Sequence, residues 1–329
     1  MSAAVPVRRP RAEAEDDCVL PFAVEPLDVR GRVVRLGAAL DELLANHNYP
    51  NPVARLVAEA AALGVLLSST LKLNGRFTLQ TQTNGPVDML VVDIEAPDRV
   101  RAYARFDEAR VAAVSGPYDA GALTGKGHLA MTIERAGDQN RYQGIVALEG
   151  GSLEEAAHQY FARSEQIPTR VRLAVAEEIH PGRPSGWRAG GLLAQFLPRE
   201  QKRTRVADLD PGDAPKGAPR HEIAEDDAWR EAQALVETVE DHELVDPDLS
   251  SERLLWRLFN ERGVKVFPSQ AIHARCRCSR ERIAKLLHAF DPAQRAGMVE
   301  KGRVVVKCEF CGKSYDFNPE EIDAGEKSS

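Results

Sequence analysis

Cys276-Arg-Cys278-Ser-Arg-Glu281 is followed, with 29 residues intervening after its second cysteine, by Cys308-Glu-Phe-Cys311-Gly312. Four thiolates can hold one zinc ion tetrahedrally at about 2.3 Å only if two local pairs each turn two sulfurs toward a common point. Cys308-x-x-Cys311-Gly312 is a knuckle between the strand-like runs 303–307 and 314–317, with Gly312 available for the positive φ of a tight turn. Cys276-x-Cys278 precedes an amphipathic helix pattern, Ile283, Leu286, Leu287 and Phe290, whose free N-terminal amides favour thiolate charge. The two pairs together predict a four-cysteine zinc site, Cys276, Cys278, Cys308 and Cys311, with one Zn2+ per chain. Most such sites are structural ribbons. A Cys-x-Cys pair departs from the usual ribbon spacing, and its sulfurs are near enough to oxidise to each other.

These are four of only five cysteines in 329 residues, so a secreted disulfide scaffold is excluded. The fifth, Cys18, stands beside an apolar run and reads as a buried, incidental thiol. His273 lies three residues before Cys276, but four cysteines already fill a tetrahedron. With 43% hydrophobic and 28% charged residues, the chain has the composition of a globular protein of about two domains. The N-terminus has no apolar h-region, and the longest nearly apolar stretch, 58–67, is half the length of a membrane helix. A cytoplasmic protein that engages no membrane is expected.

Upstream of the cysteines the pattern is mixed. Residues 29–36 suggest a strand, and Leu36, Ala39, Leu40, Leu43 and Leu44 recur at helical spacing. A second apolar helix starts at Val53. Phe77, Leu79 and Thr81 alternate with Arg76, Thr78, Gln80 and Gln82 ahead of Asn84-Gly85, the mark of a hairpin whose polar side reads as a solvated face. Further strands are expected at 100–106, 128–135 and 142–148, and a helix at 153–163. The fold class is α+β, with a disordered tail over 1–18, a mixed core domain over 19–200, an acidic linker, first flexible and then helical, over 201–270, a zinc-binding switch domain over 271–318, and a tail over 319–329. In the linker, Trp229, Ala232, Leu235, Val236 and Val239 form one apolar stripe and Leu254, Leu255, Leu258 and Phe259 another, so both must be covered by something.

Charge is segregated. Residues 222–248 hold eleven acids and one base, a formal −10, whereas 271–313 hold ten bases and four acids, a formal +6. Four thiolates and one zinc would lower the latter to about +4, and attraction between the two segments is expected to help hold the linker closed. No HExxH or GxSxG motif is present, and the glycines of 121–127 lack phosphate-loop spacing, so no enzyme is expected. The basic residues Arg275, Arg277, Arg280 and Arg282 leave a zinc-ribbon nucleic-acid-binding regulator as the alternative, which the net charge of −7 weakens.

At this point the sequence resembles the redox-regulated heat-shock chaperones of about thirty-three kilodaltons, the bacterial holdases activated by oxidation. The resemblance rests on His47-Asn-Tyr-Pro-x-Pro52, Ser69-Thr-Leu-Lys72, Gly75-Arg-Phe-Thr-Leu-Gln-Thr-Gln82, Gly85-Pro86, Ser164-Glu-Gln166, Gly190-Gly191 with Gln195 and Pro198, and both cysteine pairs. The long acidic linker, the basic N-terminal tail and Cys18 depart from the pattern. The resemblance implies an ATP-independent chaperone, inactive while reduced and zinc-bound. Oxidants would form disulfides between Cys276 and Cys278 and between Cys308 and Cys311, release zinc, unfold the switch domain and linker, and produce homodimers that hold unfolding client proteins. Structural zinc is worth on the order of 10–16 kcal/mol in small peptides. Closing such short loops by disulfides returns only roughly 1.5–2 kcal/mol each. The exchange therefore favours unfolding.

Overall fold

A computed structural model describes residues 16–71, 73–137, 141–179, 185–198 and 226–324. The expected flexible part of the linker, 201–220, and most of the N-terminal tail lie outside the described residues.

The helix Asn51–Thr70 organises everything else. Its alanine, leucine and valine run is apolar on every side, and from Val53 to Ser68 nearly every side chain is buried, Leu56 and Leu63 completely. A helix without a polar stripe needs cover all round, and two antiparallel sheets supply it. The first contains β1 (Cys18–Val24), β2 (Val29–Leu36), β8 (Thr169–Glu178) and β9 (Gly186–Phe196) in the order β1-β2-β9-β8. The second contains β3 (Gly75–Thr83), β4 (Val87–Glu95), β5 (Arg99–Phe106), β6 (Lys126–Arg135) and β7 (Arg141–Glu149) in the order β5-β4-β3-β6-β7. The helix packs on β2, β8 and β9 of one and on β3, β4 and β5 of the other. Among the described residues it alone is long and apolar enough to cross a membrane, and its burial identifies it as the core helix.

The mixed α+β reading holds, including the β3–β4 hairpin around Asn84-Gly85. The short helix Ala38–Leu44 buries Leu40 and Leu43 as its spacing requires. Cys18 is buried in β1. Asp17, assigned by sequence to the tail, accepts from the Gly37 N–H at 2.8 Å.

Both linker stripes are covered. The helices Asp227–Glu237, Asp241–Val245 and Ser251–Phe259 lie on the outer face of the first sheet, where Trp229, Val236, Leu254 and Phe259 meet Phe22, Val33, Leu192 and Phe196. Four acids of these helices pair elsewhere than with the basic cysteine region, to which the net charge had pointed. Glu237 pairs with Arg170 at 2.9 Å, Asp241 with Arg172 at 2.9 Å, Glu231 with Arg262 at 2.6 Å and Glu243 with Arg257 at 2.9 Å. The linker is thus held by the core sheet and by its own arginines. Arg277 and Arg280 of the cysteine region find separate carboxylates, described below.

After the linker helices the chain forms a ten-residue strap, 265–274. β10 (Lys265–Val266) and β11 (Gln270–Ala271) pair antiparallel with β1, and Ile272 enters the main core. β12 (His273–Ala274) then pairs parallel with β5 of the other sheet. Beyond it, β13 (Val304–Lys307) and β14 (Ser314–Phe317) form a separate ribbon, and Pro319–Ala324, read as tail from sequence, is a helix that buries Ile322 against it.

One buried acid gives the core a pH dependence. Burial pushes the Glu59 carboxyl, on the central helix, up from 4.5 to about 7, although Tyr118 donates a 2.7 Å hydrogen bond to it. The folded state therefore takes up a proton that the unfolded chain has released. The contribution is complete below about pH 4.5 and is lost as pH rises through about 7. Denaturant titrations should show Glu59→Gln removing this loss, gaining on the order of 2–3 kcal/mol at pH 8 relative to pH 4.5. Parallel wild-type and variant pH profiles would contradict it.

Candidate metal centre

Each cysteine pair is placed by local structure. Cys276 and Cys278 lie in extended chain straight after β12. Ser279 then caps the helix Arg280–His288 by accepting from the Arg282 N–H at 3.2 Å. Cys308 and Cys311 form the turn between β13 and β14, closed by Gly312 N–H to Cys308 O at 2.8 Å and Cys308 N–H to Lys313 O at 2.9 Å. Gly312 has φ +65°, as the knuckle reading required. A Cβ there would also fall 2.2 Å from the Asn46 carbonyl oxygen, so glycine lets the knuckle lie directly on the core.

All four sulfurs lie within 4.8 Å of one another. Cys276 and Cys308 Sγ are 3.7 Å apart, and Cys278 and Cys311 Sγ 3.3 Å. Tetrahedral bonds of about 2.3 Å put neighbouring sulfurs roughly 3.8 Å apart, so the donor set fits a single four-coordinate ion. Burial opposes ionisation of Cys276. Hydrogen bonds from the Cys278 N–H and the neighbouring thiols overcome it and bring Cys276 down to about 7. Burial pushes Cys308 and Cys311 up. Tyr315 donates to Cys278 Sγ at 3.2 Å, a sulfur contact that the spacing did not reveal. His273 is exposed and lies outside the cluster.

The centre is pressed onto the outer face of the second sheet. Phe310, inside the knuckle, packs edge-on against Tyr103 with ring centres 4.9 Å apart and lies beneath the Arg101 guanidinium at 3.9 Å. Its carbonyl is 3.3 Å from His47 Nε2, and His47 stacks on Tyr49 at 4.5 Å. Tyr49 in turn accepts from the Ala104 N–H of β5 at 3.0 Å. The His47-Asn-Tyr-Pro stretch is thus the floor on which the knuckle stands.

Next to it, Asp93 of β4 is 5% exposed and accepts from Arg101 Nε at 2.8 Å and from Arg277 at 2.8 Å. Arg76 lies 3.5 Å away, so the hairpin face read as solvated is in part the bed of the cysteine module. Arg277 stands between Cys276 and Cys278, and Asp93 fastens that loop to the core. Arg280 pairs with Glu321 at 2.6 Å, and Arg282 donates to the Arg277 carbonyl at 3.0 Å. These guanidinium groups are engaged inside the protein.

With this geometry in view, the relatives are informative. The profile of the Hsp33 protein family matches residues 17–318. This chain belongs to the Hsp33 family. It is 44% identical to the 33 kDa chaperonin of Caulobacter vibrioides, over 92% of this chain and 95% of that one. It is 36% identical to the 33 kDa chaperonin of Pseudomonas syringae pv. syringae, over 92% of this chain and 90% of that one. The fold is that of the crystal structure of the Thermotoga maritima 33 kDa chaperonin, with TM-score 0.72, 21% identity and coverage of 94% and 97%. Membership makes the chain a chaperone, of a family that is not an enzyme class.

Asp93→Ala leaves Arg101 and Arg277 facing each other without their carboxylate, and breaking such a buried pair is costly. Hydrogen exchange should report faster opening, by roughly 10-fold or more, at the His273 and Arg275 amides, which bond the Asp98 and Val100 carbonyls, with the Asn51–Thr70 helix unaffected. Unchanged exchange would show that Asp93 does not fasten the module.

Proposed function

We propose that this chain is a redox-regulated, ATP-independent holdase of the cytoplasm, silent while its four thiolates hold Zn2+ and activated when they are oxidised. The observation that carries the reading is the convergence of Cys276, Cys278, Cys308 and Cys311 within 4.8 Å, in a module with a small core of its own. Four thiolates at tetrahedral spacing suit zinc better than the harder divalent ions. Bound zinc would cross-link two chain segments that otherwise meet through a small apolar core.

Oxidation proceeds in the near-neighbour pairs, Cys276 with Cys278 and Cys308 with Cys311. In each, two thiolates surrender two electrons to one peroxide, which takes up two protons from solvent, giving one disulfide and two waters. A disulfide sulfur no longer binds zinc as a thiolate does, and disulfides spanning one and two residues do not join the two halves of the module. Loss of the cross-link loosens the knuckle from His47 and Tyr103 and the Cys276–Cys278 loop from Asp93. Through the strap it then withdraws support from the linker helices. Their departure bares the apolar face of the first sheet for unfolding proteins, and the active form is a homodimer.

Reduced protein should contain one zinc and four reactive cluster thiols, and peroxide with mild heat should take both to zero. Aggregation of a heat-denatured client should be suppressed only afterwards. Peptide mapping should recover Cys276–Cys278 and Cys308–Cys311. Equal suppression by the reduced, zinc-loaded form would refute the switch, and cross-pairs Cys276–Cys308 and Cys278–Cys311 would refute the pairing.

A further inference from the structure

We propose that the linker-facing side of the first sheet, once vacated, preferentially receives acidic amphipathic segments of client polypeptides, with Arg35, Arg170, Arg172 and Arg188 as the selecting groups. The inference rests on the linker release proposed above and adds the class of segment that replaces the linker.

The strand alternation of β2, β8 and β9 sends these four side chains to the same face as the apolar groups Phe22, Val33, Leu192 and Phe196. Their present partner is the acidic linker. Arg35, only 1% exposed, donates to the Asp246 carbonyl at 2.7 Å and the Glu243 carbonyl at 2.9 Å, and Arg188 donates to the Val245 carbonyl at 2.8 Å. Two core arginines thus cap the C-terminal end of the helix Asp241–Val245, where the helix dipole is negative. Arg170 and Arg172 take the side chains of Glu237 and Asp241.

The core supplies only part of the balancing charge. Asp16 and Glu178 face Arg188, and Glu154 stands 3.8 Å from Arg172. Arg35 and Arg170 each keep a buried Nε without a hydrogen-bond partner among the described residues. Departure of the linker therefore removes acceptors from guanidinium groups set in an apolar face. Such groups cost free energy when covered by a segment that offers no acceptors, and repel one that is basic. A segment with an apolar stripe and flanking carboxylates restores both kinds of contact. The linker is the internal copy of the ligand class that this face accepts.

The test uses the full-length chain, before and after peroxide, with zinc release followed by a colorimetric chelator. The probes are a labelled peptide of residues 226–259 and its counterpart with every Asp and Glu replaced by Asn and Gln, which keeps the apolar stripe. Anisotropy should show the oxidised chain binding the acidic peptide about 10-fold more tightly, with the margin shrinking in high salt. The Arg170→Gln/Arg172→Gln variant should lose much of that margin while releasing zinc normally. Equal affinity for both peptides in a chain that has shed its zinc would overturn the selectivity and leave the switch intact. Peptide binding that is the same before and after zinc loss would overturn linker release itself, and this inference with it.

Discussion

The cysteine module buries only Ile283, Leu287, Val304, Tyr315, Phe317 and Ile322 as an apolar core. Modules below about 70 residues rarely draw more than roughly 3–5 kcal/mol from such a core, so a cross-link has to supply the rest. In the proposed switch, that constraint makes the four-sulfur centre the control point of the molecule. The larger body instead has a central helix covered on every side by two sheets.

Control at the centre is useful because of what the module touches. The strap at 265–274 joins the edge of the first sheet, beside the docked linker, to the edge of the second, beside the knuckle. Ile272 is inserted in the core between them. The knuckle rests on His47, Tyr103 and Arg101, and Arg277 reaches Asp93, so the module is held at both of its cysteine pairs. In the proposed switch, release at one end passes along the ten residues of the strap to β10 and β11, which pair with β1. In the proposed switch the body stays intact while the three layers docked on it, module, strap and linker helices, come away.

The parts legible in the sequence are those with a local cause. Cysteine spacing and Gly312 defined the centre, because a knuckle is built from consecutive residues. Helical periodicity exposed the stripes of Trp229 and Leu254, and alternation exposed the β3–β4 hairpin. What covered those stripes, and what the charges met, depended on long-range pairing. Net charge suggested that the acidic linker faces the basic cysteine region, yet Glu237 and Asp241 meet Arg170 and Arg172 on β8, and Arg277 meets Asp93 on β4. Asp93 is one of two acids within Val-Val-Asp-Ile-Glu, and no local pattern marks it as the fastening point of a loop 184 positions away. β10, β11 and β12 have two residues each, too short to leave a period.

Trp229 offers the most direct view of the central claim, that loss of the metal centre frees the linker from the first sheet. It is 2% exposed and packs on Phe196 with ring centres 6.0 Å apart. In a Trp187→Phe/Trp256→Phe chain, its emission should shift to the red in step with zinc release after peroxide, and return on reduction with zinc. Emission that stays blue-shifted after complete zinc release, in protein that already holds a client, would contradict the account.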